Sequence, residues 1–193
     1  LHHAGKGGDV TRSIAEIEDQ RTRADLIAGR EVVAAAVDGM AAEICDAIGG
    51  LNPVVMVVMT GGLMPAAWLM SRMDFPYAVD YLHPTRYRGR TTGGEVDWLV
   101  RPRLDLAGRH VLVIDDILDE GVTQAAIVDL CRGLGAASVL TAVLVKKRHE
   151  RRAADVRADF VGLEVEDRYV FGCGMDYREY YRGLPAIYAL ADE

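Results

Sequence analysis

Three apolar runs constrain this chain most: VVMVVM at Val54–Met59, VLVI at Val111–Ile114 and VLTAVLV at Val139–Val145. A strand with one wet face alternates polar and apolar residues, so runs this continuous read as strands buried on both faces. Helical spacing fills the intervals. Val33, Val37, Met40, Ile44 and Ile48 recur on one helical face and stop at Gly49-Gly50. A second helix is expected over Met64–Met70 after Gly61-Gly62, and a third over Gln124–Leu134, with Ile127, Leu130 and Leu134 inward and Gly133 and Gly135 ending it. Strands alternating with helices imply right-handed crossovers and an α/β fold with a mostly parallel, twisted sheet flanked by helices. Ligands of such sheets bind at the carboxyl ends of the strands.

Composition narrows the partners. At 193 residues, half of them apolar, one domain is expected, and a net charge of -7 argues against nucleic acid or an anionic membrane as a general partner. Cys45, Cys131 and Cys173 are odd in number and widely spaced, which fits neither a disulfide framework nor a zinc site. The longest apolar stretch, VVMVVMTGGLMPAAWLM, is interrupted by Thr60-Gly61-Gly62 and Pro65, so no membrane span is expected. With no charged-then-apolar leader pattern at the start, the expected location is the cytoplasm.

Chemistry gathers in VLVIDDILDEGVT, Val111–Thr123. Asp115 and Asp116 are expected to emerge where the buried strand ends, a ligand position at which paired carboxylates accept from vicinal sugar hydroxyls or bind magnesium; the plainer alternative is a cap on the next helix. Asp119–Thr123 is a short turn with Gly121 opening a helix, which aims backbone N–H groups at one spot and suits phosphate. Glu120 is an odd neighbour for a phosphate, and the turn lacks the lysine and spacing of a P-loop. RYRGRTTGG, Arg86–Gly94, has no apolar period and reads as a loop, with Trp98 a possible anchor for its return. FVGLEVEDRYVFGCGMDYREYYRG, Phe160–Gly183, interleaves aromatics with glycines and charges and is expected to form a small lobe over the site. His83, His110 and His149 show no metal spacing and are expected to be bystanders.

VLVIDDILDEGVT resembles the phosphoribosyl-pyrophosphate motif of type I phosphoribosyltransferases. From about Ala34 onward the chain is similar to the hypoxanthine-guanine phosphoribosyltransferases of a bacterial branch, and the tail resembles the purine-binding hood of that group more specifically. The resemblance implies the type I phosphoribosyltransferase fold with a core over about 30–158 and a hood built from the N-terminal segment and about 159–193. It implies that Asp115 and Asp116 hold the ribose hydroxyls, that Asp119 is the general base near purine N7, and that Glu120, Gly121, Val122 and Thr123 cradle the 5'-phosphate. Met59, Thr60, Gly61 and Gly62 match the pyrophosphate loop, with a non-proline cis peptide before Thr60, and Arg182 matches an arginine that contacts pyrophosphate.

On the purine side, Lys147 resembles the lysine that donates to O6 of a 6-oxopurine, with Lys146 one residue away as a competitor. Tyr169 matches the stacking aromatic, Val170 the residue whose backbone meets the purine edge, and Asp176 a carboxylate that reaches magnesium; Asp115 and Asp116 are the other metal candidates. Arg86 and Tyr87 lie where the family has a catalytic loop, usually with serine before the tyrosine. Glu120 and Val122 also depart from the common pattern, which leaves phosphate contact there to backbone amides.

The implied activity is magnesium-dependent transfer of the phosphoribosyl group to hypoxanthine or guanine, giving IMP or GMP and pyrophosphate in purine salvage. The alternatives are a catalytically silent regulatory protein of the same fold, against which Asp119, Lys147 and Asp176 together speak, and a xanthine-guanine-preferring transferase. The expected partners are the purine base, phosphoribosyl pyrophosphate, the nucleotide product and further copies of the chain in a homodimer or homotetramer.

Overall fold

The structure is a computed structural model and describes residues 13–86, 96–151 and 156–191. In chain order its elements are α1 (Ile14–Arg23), β1 (Asp25–Ala28), α2 (Arg30–Ile48), β2 (Val54–Val58), α3 (Leu63–Met70), β3 (Ala78–Arg86) and β4 (Val96–Val100). There follow β5 (His110–Leu118), α4 (Val122–Gly133), β6 (Ser138–Arg148), β7 (Phe160–Glu166), β8 (Val170–Phe171) and β9 (Ile187–Ala189).

The main sheet has the order β4-β3-β2-β5-β6-β7. Its pairings are parallel except for β4, an antiparallel edge on β3. The three apolar runs are the adjacent central strands, and their alternate side chains feed two cores. Val55, Val57, Leu112, Ile114, Ala142 and Leu144 face the inner side of α2, where Val33, Val37, Met40, Ile44 and Ile48 are buried as their spacing predicts. Val54, Met56, Val58, Val111 and Val113 face the opposite way, toward α4. Each such side chain contributes roughly 1.5–3 kcal/mol by leaving water, which is why both faces must be covered.

Four expectations are corrected. Strand β5 does not stop at Ile114: parallel pairing with β6 continues through Ile117↔Val145 and Leu118↔Lys146, so Asp115 and Asp116 lie inside the strand. For the same reason the basic run Lys146–Arg148 is still strand, carried by its pairing with β7. On α4 the buried residues are Gln124, Ile127 and Cys131, whereas Leu134 caps the helix and is 42% exposed. A small thiol packs where leucine was expected. Finally, Phe160–Glu166 pairs with β6 as the last parallel strand of the main sheet, which takes these residues out of the expected hood.

A second sheet, β1-β9-β8, is antiparallel and joins Asp25 to Ala189 and Phe171 to Tyr188. Helix α1 begins with a capping box between Ser13 and Glu16 and adds Ile17 to a small aromatic core with Phe171 and Tyr177. Tyr181 Oη donates to the Ile17 carbonyl at 3.0 Å and ties the helix to this lobe. Helix α1 and strand β1 therefore pack with the tail. Among the described residues, no helix is long and apolar enough to cross a membrane.

Candidate active site

The carboxyl ends of β2, β5 and β6 lie side by side, so parallel topology alone brings three distant segments together. After β2 the chain passes through a cis Met59–Thr60 peptide, and Gly62 N–H donates to the Val58 carbonyl at 2.8 Å. Gly61 has no alternative in this turn. A Cβ there would overlap the carboxylate of Asp116, and a Cβ on Gly174 would overlap the Gly61 carbonyl oxygen. Two residues without side chains thus let the β2 loop, the end of β5 and the hood turn stack against one another.

Asp115 and Asp116 are adjacent in β5, and Asp116 is only 9% exposed. Burial, then the neighbouring Asp116 charge, pushes the Asp115 carboxyl well above its ordinary range. Burial also raises Asp116, opposed by the hydrogen bond from Asp115 and by the Arg182 charge. Like charges placed side by side in this way are relieved by hydroxyl donors or a cation. They do not cap α4, whose N-cap is Gly121 with no side-chain bond.

Gly121 has φ 88°, a left-handed conformation that glycine adopts without penalty. The turn before it opens onto a cavity of about 200 Å³ lined by Asp115, Asp116, Asp119, Gly121, Thr123 and Gln124. Glu120 sits half-buried just outside the helix N-cap. A larger cavity, about 330 Å³, lies on the other flank of α4 near Arg132 and Arg157 and contains none of the residues singled out from the sequence except the shared wall at Gln124.

Asp119 is held by two side chains from the end of β6 and just beyond it. Lys147 Nζ donates to its Oδ2 at 3.1 Å, and His149 Nε2 lies 2.7 Å from its Oδ1. Burial pushes the Asp119 carboxyl up, but the hydrogen bonds from Lys147 and His149 and the Lys147 charge outweigh that and hold it below its ordinary value. Lys146 points elsewhere and pairs with Glu164 on β7 at 2.5 Å. Alternation along β6 separates the two lysines, so Lys147 is the one facing Asp119.

His149 is not a bystander. Its side chain is 5% exposed, and its contact with Asp119 leaves no metal-type spacing in the sequence. The available signal was its position two residues after Lys147, which on an extended chain places both on one face. Asp167 was missed as well: it lies 3.7 Å from Lys147 Nζ and pairs with Arg151. Oxygen and nitrogen atoms of Asp119, His149 and Asp167 lie within 4.8 Å of one another, but Lys147 already supplies the positive charge that such a cluster would draw from a cation.

In the hood, Tyr169 is 49% exposed and its hydroxyl donates to the Asp176 carbonyl at 3.2 Å. Val170 is buried and pairs with Ala189. Asp176 Oδ1 accepts from Arg182 Nη2 at 2.8 Å, and Arg182 Nη1 donates to the Gly174 carbonyl at 2.9 Å. Arg182 therefore links Asp176 to the turn that abuts Gly61, within electrostatic reach of Asp116. Arg86 ends β3, so it is strand and not loop, and Tyr87 falls outside the described residues.

The sequence pattern of the family described as "Phosphoribosyl transferase domain" matches residues 25–178. A hypoxanthine-guanine phosphoribosyltransferase of Bacillus subtilis is 34% identical over 163 residues, covering 84% of this chain and 90% of that protein. A hypoxanthine-guanine-xanthine phosphoribosyltransferase of Tritrichomonas foetus is 33% identical over 148 residues, covering 77% and 81%. The crystal structure of a hypoxanthine phosphoribosyltransferase from Staphylococcus aureus superposes with a TM-score of 0.82 at 28% identity, covering 94% of this chain and 96% of that one.

Proposed function

The chain belongs to the phosphoribosyl transferase family, and from that premise we propose that it transfers the 5-phosphoribosyl group of phosphoribosyl pyrophosphate to N9 of hypoxanthine or guanine. The products are IMP or GMP and pyrophosphate, a purine-salvage reaction. One observation carries the reading: Asp119 stands between the acidic end of β5, suited to a sugar, and Lys147, suited to a 6-oxopurine.

Asp115 and Asp116 accept from the ribose hydroxyls, and backbone amides from Glu120 to Thr123 hold the 5'-phosphate at the start of α4. Met59–Gly62 and Arg182 receive the pyrophosphate. Lys147 donates to purine O6, Tyr169 stacks on the base, and the Val170 backbone meets its edge. Asp119, kept ionised by its two partners, accepts the N7 proton as the glycosidic bond forms. Arg86, the last residue of β3, and Tyr87 after it serve to exclude water from the reaction centre.

Magnesium suits the chemistry of the carboxylates in β5. The adjacent carboxylates of Asp115 and Asp116 are hard oxygen ligands that would hold it, and Asp176, paired with Arg182, would reach it from the hood side. When bound, the ion neutralises charge developing on the leaving pyrophosphate. The chain works as a homodimer or homotetramer in the cytoplasm, with the core and hood of one domain enclosing the site. The test is pyrophosphate release from phosphoribosyl pyrophosphate and magnesium with hypoxanthine, guanine, xanthine, adenine or orotate. Release with hypoxanthine or guanine is expected, and no release with any base overturns the reading.

A further inference from the structure

We propose that His149 is a positioning residue that fixes the orientation and charge of Asp119 through a locked ring tautomer; this rests on the transferase reading of the site. The backbone N–H of Arg151 donates to His149 Nδ1 at 3.1 Å. That nitrogen must therefore carry a lone pair, which leaves the ring proton on Nε2, 2.7 Å from Asp119 Oδ1. The neutral ring thus donates to the carboxylate, and Lys147 donates to the other oxygen. With both oxygens held from the β6 side, the carboxylate is fixed about its Cβ–Cγ bond, and its remaining lone pairs are the ones left to take a proton from a base.

The device extends outward. Arg151 pairs through its guanidinium with Asp167, in the turn between β7 and β8, so the backbone that locks the imidazole is anchored where the hood begins. The groups bearing on Asp119 are Lys147 and His149 in direct contact, Asp167 and Arg151 behind them, and Glu120 next in the chain. Lys147 must also turn to the purine oxygen during transfer, whereas nothing in the reaction asks His149 to leave. It is the partner that can stay on Asp119 throughout.

Two measurements test this, one of them independent of activity. Long-range nitrogen–proton spectra of histidine-labelled protein at neutral pH are expected to show His149 with its proton on Nε2, and the carbon resonance of the Asp119 carboxyl is expected to titrate at a higher pH in His149→Ala than in wild type. In steady-state kinetics, His149→Ala is expected to lower kcat about tenfold, with KM for phosphoribosyl pyrophosphate unchanged, and to move the acid limb of the kcat profile up by about one pH unit. His149→Gln, whose amide places a donor near the position of Nε2, is expected to recover most of both effects. A proton on Nδ1, an unmoved Asp119 titration, or a His149→Ala profile identical to wild type overturns the inference. If wild type transfers to no purine but the spectra and the Asp119 titration behave as stated, the transferase reading fails and the positioning of Asp119 by His149 stands.

Discussion

At the residue scale, the site depends on carboxylates whose surroundings differ sharply. Asp119 is held ionised by donors, whereas Asp115 is pushed toward its protonated form by burial and by its neighbour. Asp119→Asn, which cannot accept a proton, should lower kcat by about 10²–10⁴-fold with little change in phosphoribosyl pyrophosphate binding, measured by steady-state kinetics beside calorimetric titration. Equal loss in both would make Asp119 a binding group. Chelating magnesium with EDTA should abolish transfer, and added magnesium should restore it. Asp80 shows a purely structural carboxylate: 2% exposed, it accepts from the backbone N–H groups of Tyr81, Arg103 and Leu104 at 2.9, 2.6 and 2.8 Å. Burial raises its carboxyl, but those donors and Arg103 win and hold it low. A depressed folded-state value means stability that is present above the unfolded value and lost as pH falls through the folded one. Asp80→Asn, which turns an N–H toward backbone donors, should cost about 2 kcal/mol at neutral pH in urea unfolding, and the gap should narrow below the ordinary carboxyl value of 3.8.

At the scale of elements, α4 offers a direct check on which face is buried. Cys131→Ala should destabilise by about 1–2 kcal/mol, whereas Leu134→Ala should change stability by less than about 0.5 kcal/mol, compared by thermal unfolding. The reverse order would mean that the sequence-based inner face was right. The contrast also shows what patterning reveals. Strands β2, β5 and β6 and helix α2 were legible because both faces of the sheet are covered and α2 keeps a strict apolar period. The ends of β5 and β6 were not, since charged residues there continue the ladder through backbone pairing that no side-chain pattern records. The turn that opens α4 at Gly121 was legible from its glycine. His149 and Asp167 were hidden because their meeting with Asp119 comes from strand pairing and a distant turn, not from local spacing.

At the scale of the whole molecule, the two sheets divide the work: the main sheet carries the residues proposed for sugar and phosphate, and the hood carries Tyr169, Val170, Asp176 and Arg182. Ile187 is fully buried in β9, the centre of the hood sheet. Ile187→Asp places a carboxylate in that core and should raise KM for the purine far more than it weakens phosphoribosyl pyrophosphate binding, provided circular dichroism shows the main sheet intact. Parallel loss of both would mean that the two sheets act as one unit. The pairing of β1 with β9 has a consequence for synthesis. Asp25 and its partner Ala189 are separated in the chain by every strand of the main sheet. While the main sheet can assemble once β7 has emerged, β1 must wait for its partner until β9 follows. A nascent chain therefore completes the turn proposed for phosphate before the wall proposed for the purine, so the two halves of the proposed site are born at different times.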